Sequence, residues 1–260
     1  MKFFISLILL LISAETFAVE WQDNQQISQL FSEAGINGTF VVFDIKNQRL
    51  TGHNRQRAHS RYIPASTFKI TNTLIGLAAG SVSNVDEILP YGGQPQPFKA
   101  WEQDMSLREA IKISNVPIYQ ELARCTGLQQ MQDSVTRIGY GNNDIGNRVD
   151  NFWLRGPLKI SAVEQTQMLA RLAQKQLPFE KAQQQAVHDI IELEHGENWV
   201  LYGKTGWANA PDAGVGWWVG WLQKDKAIYP FAFNMDMQQL EDAPKRIEIG
   251  KASLKILGLL

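Results

Sequence analysis

The sequence predicts an α+β fold, an antiparallel sheet flanked by helices with a helical insertion. Three observations predict it. A strand hairpin opens the chain after its first segment, a helical block fills the middle, and three consecutive strand-like runs and a final helix close it.

"TFVVFDI" (39–45) alternates poorly but is rich in β-branched and aromatic residues, so it reads as a buried strand, with "QRLTGH" (48–53) as its hairpin partner. Pro64 then opens a helix running from about Ser66 to Ala79, which Gly80 stops. In the middle block, "SLRE" (106–109) and "SAVE" (161–164) are capping boxes, with serine at the N-cap and glutamate three residues on. Between them, "YGNNDIGNRVDNFWLRGPLKI" (140–160) holds too many Gly, Asn and Asp for regular structure and reads as a long ordered loop. The last third contains "NWVLYGKTG", "GVGWWVGWLQK" and "KAIYPFAFNMDM", separated by the turn-rich "WANAPDA" and the charged "QKDK". A closing amphipathic helix is expected from about Pro244 to Leu257.

The 260 residues, 44% hydrophobic and 20% charged, fit one large domain or two tightly joined lobes. A net charge of −1 gives no global attraction to nucleic acid or to an anionic membrane. The first 18 residues read as a secretory signal peptide. Lys2 is the positive n-region, "FFISLILLLI" the h-region, and Thr16 and Ala18 the small residues at −3 and −1 of a cleavage site. The apolar run is too short to span a bilayer, so no stable membrane anchor is expected, and residues 19–260 form the catalytic domain. Cleavage after Ala18 removes Lys2 and Glu15 and leaves the charge unchanged. Cys125 is the single cysteine, so no intrachain disulfide can form, and it is expected to be a small core or half-buried side chain.

Ser66 and Lys69, in "PASTFK", stand three apart and so share one helical face within proton-transfer reach. Alone the pattern is weak, because about one S-x-x-K is expected by chance in a chain of this length. A surface helix with a serine cap is the alternative. The apolar stretch "FKITNTLIGLAAG" speaks against it, since burial lowers a lysine pKa and can leave the amine neutral. Lys204, Thr205 and Gly206 form K-T-G at a strand end, where a lysine and a hydroxyl could hold a substrate carboxylate and the glycine admits a substrate along the strand edge. Standing alone, that motif would read as a strand end and a turn.

S-x-x-K followed by K-T-G, with S-D-N between, marks penicillin-recognising serine enzymes. Here the middle element is Ser114-Asn115-Val116, and the glutamate typical of class A has no clear counterpart. The ordered set S-x-x-K, S-x-V, Y-G-N (Tyr140 to Asn142), W-x-x-G-P-L-x-I-S and K-T-G resembles the class D (oxacillinase-type) serine β-lactamases. The resemblance covers about residues 20 to 260, including "WWVGW" (217–221) and Arg246 on the closing helix.

That resemblance implies a penicillin-recognising β-lactamase/transpeptidase-like fold and hydrolysis of the β-lactam amide of penicillins through an acyl-enzyme on Ser66. It implies that Lys69 is carboxylated by carbon dioxide to N6-carboxylysine and acts as general base for acylation and deacylation. Only a neutral amine attacks carbon dioxide, and the product is an anion, a competent base where an ammonium is not. By the same resemblance, the Trp153 indole N–H, a donor only, serves the carbamate. Val116 and Leu154 form the apolar wall that keeps Lys69 dry, and Ser114 relays a proton to the departing nitrogen. The backbone N–H groups of Ser66 and Trp207 form the oxyanion hole, and Lys204, Thr205 and Arg246 hold the substrate carboxylate beside Gly206. Nothing in the local pattern alone chooses between Arg246 and its neighbour Lys245. Tyr140 and Asn142 shape the loop, with Gly141 permitting a tight turn.

Implied partners are β-lactam antibiotics. No metal and no cofactor beyond carbon dioxide or bicarbonate is expected, and the expected location is the periplasm. Trp217, Trp218 and Trp221 read as sheet packing. His188, Glu192 and His195 read as the wet face of a helix whose Val187, Ile190, Ile191 and Leu193 make apolar contacts, in preference to a metal site. A cell-wall transpeptidase or carboxypeptidase and a β-lactam sensor domain share the motifs. The first is usually larger or membrane-tethered, and the second normally follows transmembrane helices. The loop 207–214, without arginine or lysine, bears on the β-lactam spectrum but does not define it; oligomeric state is left open.

Overall fold

The computed structural model describes residues 19–209 and 214–260; the signal-peptide reading and the centre of the 207–214 loop lie outside the described residues. A single large sheet dominates, built from β1 (Glu20–Asp23), β2 (Gly38–Asp44), β3 (Arg49–His53), β6 (Glu192–His195), β7 (Trp199–Ala208), β8 (Val215–Lys224) and β9 (Ala227–Asp236). A two-stranded ribbon pairs β4 (Ile88–Leu89) with β5 (Met105–Ser106). The helices are α1 (Gln25–Glu33), α2 (Arg55–His59), α3 (Phe68–Ala79), α4 (Leu107–Lys112), α5 (Val116–Thr126), α6 (Leu128–Ile138), α7 (Phe152–Arg155), α8 (Ala162–Ala173), α9 (Lys181–Ile191) and α10 (Lys245–Ile256).

Strand order is β1-β3-β2-β9-β8-β7-β6. The hairpin and the three-strand meander fall where the sequence puts them, and β9 joins them by pairing with β2. One correction concerns the edge. β1 pairs with β3 in parallel, so the sheet is antiparallel at every pair but one.

The tryptophan-rich strand β8 shows why the sheet needs cover on both faces. Side chains alternate along a strand. Trp217, Val219 and Trp221 therefore enter the larger core beneath the helical block, with Phe68, Tyr119 and Trp153. Trp218 and Leu222 enter a second core with Ile27, Phe31 and Leu254 beneath α1 and α10.

Both capping boxes form. Ser106 and Glu109 open α4, and Ser161 and Glu164 open α8. The 140–160 segment is ordered, with its two ends laced together by Asn142. The Asn142 N–H donates to Lys159 O (2.9 Å), its Oδ1 accepts from Lys159 N–H (2.9 Å), and its Nδ2 donates to Pro157 O (3.0 Å). Gly141 takes φ +57°, and a Cβ there would overlap the Lys159 carbonyl, so the turn needs glycine. Within the segment, however, Phe152–Arg155 forms the single turn α7.

Four side chains differ from expectation. Cys125 is exposed, because the buried stripe of α5 runs through Ile118, Tyr119, Leu122, Ala123 and Thr126 and leaves it outside. Partial burial and the Glu121 carboxylate push its thiol up, away from nucleophilic thiolate. His188 is buried rather than wet, with Nε2 3.0 Å from Leu172 O and its ring 4.8 Å from that of Trp221. Glu192 and His195 are not on its helix: α9 ends at Ile191, and both lie exposed on β6 with Leu193.

Candidate active site

Ser66 sits in a 3-10 turn, Ala65–Thr67, that precedes α3; the sequence expectation of one continuous helix is corrected by that tighter first turn. Ala65 takes φ +49°. A left-handed alanine costs about 1–3 kcal/mol and persists only where its surroundings impose it. Here β7 does so. A Cβ on Gly206 would lie 2.9 Å from Pro64 O and 3.1 Å from Thr67 N, so only glycine lets the strand run this close to the serine turn. That approach brings Thr205, Gly206 and the Trp207 backbone beside Ser66.

Nζ of Lys69 is 2.8 Å from Ser66 Oγ, and Lys69 is fully buried. Burial, reinforced by the nearby Lys204, holds its amine well below the ordinary lysine range. Nζ also lies 5.3 Å above the Tyr119 ring.

Ser114 takes φ +57° just ahead of α5, whose N-terminus is capped by the buried Asn115 side chain accepting from Ile118 N–H (3.1 Å). The S-N-V sequence thus anchors one residue and aims the one before it. Ser114 Oγ accepts from Lys204 Nζ at 2.6 Å, and Nζ also donates to Thr205 O at 3.1 Å. Lys204 is 7% exposed, and burial, with the Arg246 charge beside it, lowers its pKa to about 7.

That shift has a measurable consequence. The unfolded lysine titrates near ~10.4. Between about 7 and that value the unfolded chain holds a proton that folded Lys204 has released, so stability rises with pH across the window. Lys69 contributes with the same sign. In carbon dioxide-free buffer the Tm is expected to climb between pH 7 and roughly 9. Lys204→Met should flatten the climb, and a Tm falling over that range would contradict it.

Arg246 reaches in from α10. Its Nη1 donates to Gly206 O (2.7 Å) and its Nε to Ala243 O (2.9 Å). Burial lowers its pKa to about 10, which still leaves it charged at neutral pH. Lys245 turns away to pair with Asp242 at 2.9 Å. Of the two neighbours the sequence could not separate, Arg246 is the one at the cleft.

The cleft holds about 630 Å³. Ser66, Ser114, Val116 and Leu154 line it on one side, and Thr205, Gly206, Trp207 and Arg246 on the other. Lys69, Lys204 and Trp153 lie buried behind this surface. Trp153 stacks on Phe68, with ring centroids 5.7 Å apart, and α7 packs against the Ser66 turn. The Trp153 Nε1–H is buried with no hydrogen-bond partner among the described residues. Such an orphan donor costs about 1–3 kcal/mol. Tyr140 is buried in the loop base, where its hydroxyl lies 3.5 Å from Gln165 Nε2.

Sequence reasoning missed the outer rim, where Phe98, Trp101, Ile113, Arg155 and Leu240 also line the cleft. Two signals were available. Trp101 and Phe98 are aromatics in an otherwise polar loop, and Arg155 directly follows the Trp153-Leu154 pair. A broader depression of about 750 Å³ beside Val19 offers no such chemistry: Arg61 and Glu164 neutralise each other there, and Ser161 caps a helix.

Residues 38–255 match the family model for the penicillin binding protein transpeptidase domain. The chain is 36% identical over 257 residues to β-lactamase OXA-5 of Pseudomonas aeruginosa, covering 98% of this chain and 96% of that one. It is 36% identical over 245 residues to β-lactamase OXA-48 of Klebsiella pneumoniae, covering 94% and 92%. The crystal structure of FUS-1 (OXA-85), a class D β-lactamase from Fusobacterium nucleatum subsp. polymorphum, superposes with a TM-score of 0.89 at 45% identity, over 92% of this chain and all of that one.

Proposed function

The chain belongs to the class D β-lactamases, and from that premise we propose that it hydrolyses the β-lactam amide of penicillins through an acyl-enzyme on Ser66, with Lys69, carboxylated on its side-chain nitrogen, as general base. The observation that carries this reading is the fully buried Lys69 amine 2.8 Å from Ser66 Oγ.

The site suits carbon dioxide capture on three counts. Burial pushes the amine toward the neutral, nucleophilic form. Among the described residues no carboxylate forms an ion pair with it; its hydrogen bond goes to the Ser66 hydroxyl. The orphan Trp153 N–H is a donor without an acceptor, as an added anion would require. The captured group would supply an anionic base.

Ser66 Oγ attacks the lactam carbonyl carbon and gives its proton to the Lys69 side chain. The Ser66 and Trp207 backbone N–H groups receive the developing oxyanion. As the C–N bond breaks, the Ser114 hydroxyl protonates the leaving nitrogen and is resupplied from Lys204, its 2.6 Å donor; the proton left on Lys69 replaces the one Lys204 gave, which frees the base for deacylation. Thr205 and Arg246, which line the cleft, and the Lys204 amine behind them hold the substrate carboxylate, which returns Lys204 toward its charged form. Val116 and Leu154 limit water at Lys69 to what deacylation needs. Export to the periplasm after cleavage at Ala18 places the enzyme where β-lactams arrive.

The test mixes mature protein with a chromogenic cephalosporin or benzylpenicillin, with and without bicarbonate. Multiple turnovers, stimulated by bicarbonate, are expected. A single stoichiometric burst would instead indicate a sensor or a transpeptidase.

A further inference from the structure

The charge lining the cleft is one-sided. Of its sixteen lining residues among those described, only Arg155 and Arg246 carry a formal charge, and none is a carboxylate. The two arginines come from separate elements. Arg246, on α10, is tied to the Gly206 carbonyl beside the K-T-G strand. Arg155, in the last turn of α7, is exposed and has no ion pair among the described residues. Two acidic side chains on adjoining segments are already engaged, Asp150 with Arg124 at 3.1 Å and Glu102 with Lys99 at 2.5 Å. A guanidinium at a cleft, without an ion pair among the described residues, attracts anions and can bind a carboxylate through two parallel hydrogen bonds.

We infer that Arg155 is a specificity-determining residue that favours β-lactams carrying a second anionic group, a carboxylate or sulfonate, on the acylamino side chain. The inference rests on the proposed β-lactamase reading. In a penicillin the ring carboxylate and the acylamino group project from opposite ends of the bicycle. With the scissile carbonyl at Ser66 and the ring carboxylate at Thr205 and Arg246, the acylamino end is left to the rest of the lining, which includes Leu154 and Arg155 of α7. The apolar rim of Phe98, Trp101 and Leu240 accepts the aryl part of such a side chain, and Arg155 its charge.

Carbenicillin and benzylpenicillin form the diagnostic pair, since they differ by one side-chain carboxylate. The readout is the ratio of their kcat/KM values in wild type, Arg155→Met and Arg155→Glu, at low and high salt. Neutralisation is expected to lower the carbenicillin-to-benzylpenicillin ratio about threefold to fivefold, the range of an exposed ion pair. Reversal should lower it further. Salt should lower the ratio in wild type and leave it flat in Arg155→Met. An unchanged ratio in both variants overturns the assignment of Arg155 while leaving the β-lactamase reading intact. A wild-type protein that turns over neither compound overturns both.

Discussion

Replacing Lys69 with alanine is expected to lower penicillin turnover by about a thousandfold or more and to leave whatever acyl-enzyme forms on Ser66 unhydrolysed. General-base assistance contributes roughly 10²–10⁴ to a single step, and the proposed mechanism uses one side chain in two steps. The expectation is large because no other group among the described residues is paired with the Ser66 hydroxyl as a substitute base. Lys69 Nζ is the group at 2.8 Å from Ser66 Oγ, while Lys204 is bound to Ser114 and Thr205 instead. Intact-protein mass spectrometry would show a persistent covalent adduct, and the carbamate signal produced by ¹³C-bicarbonate in wild type should vanish. The Tm, measured in parallel, separates lost chemistry from lost fold: truncating the stem opens a cavity but also removes a buried amine, so the two effects oppose. Unchanged turnover would remove Lys69 from the mechanism.

Lys69 also shows what the sequence could and could not reveal. The chemistry-bearing motifs are local, each a few residues long on one element, so spacing alone put Ser66 beside Lys69 and a lysine beside a strand-end threonine. What spacing could not give was their meeting. The 2.8 Å from Ser66 to Lys69 is an i, i+3 contact, but the 2.6 Å from Ser114 to Lys204 joins residues 90 apart in the chain. Only the ordered recurrence of several motifs stood in for that contact. Long, apolar elements were equally legible: β2 and β8 bury nearly every side chain, and β9 a run of six.

Short or exposed elements were not legible. β6 has four exposed residues and no alternation, so the sequence ran α9 straight through it and put His188 on the wrong face. α7 is one turn, shorter than helical periodicity can register, and it carries Trp153, Leu154 and Arg155 to the cleft. Cys125 is a different case. The apolar positions of α5 recur at helical spacing and skip it, so its exposure was readable from the pattern had the whole helix been weighed.

Trp153→Phe tests the remaining link, between fold and carbon dioxide capture. Trp153 makes two kinds of contribution that this substitution separates. Its ring stacks on Phe68 and meets Phe152 edge-on at 5.0 Å, packing that a phenylalanine largely keeps. Its Nε1–H, buried and unpartnered, is lost. If that donor served nothing, its loss would remove an unfavourable orphan and leave the bicarbonate requirement where it was. If it serves the anion on Lys69, the variant forfeits a hydrogen bond to a charged group, about 1.5–3 kcal/mol, or roughly tenfold to a hundredfold in affinity for carbon dioxide. The expected result is therefore weak activity at ambient carbon dioxide, recovered by adding bicarbonate, with the half-activating concentration raised by that factor. A variant whose bicarbonate titration overlays the wild-type curve would place the orphan N–H outside the chemistry and leave the buried Lys69 amine without its proposed stabilising partner.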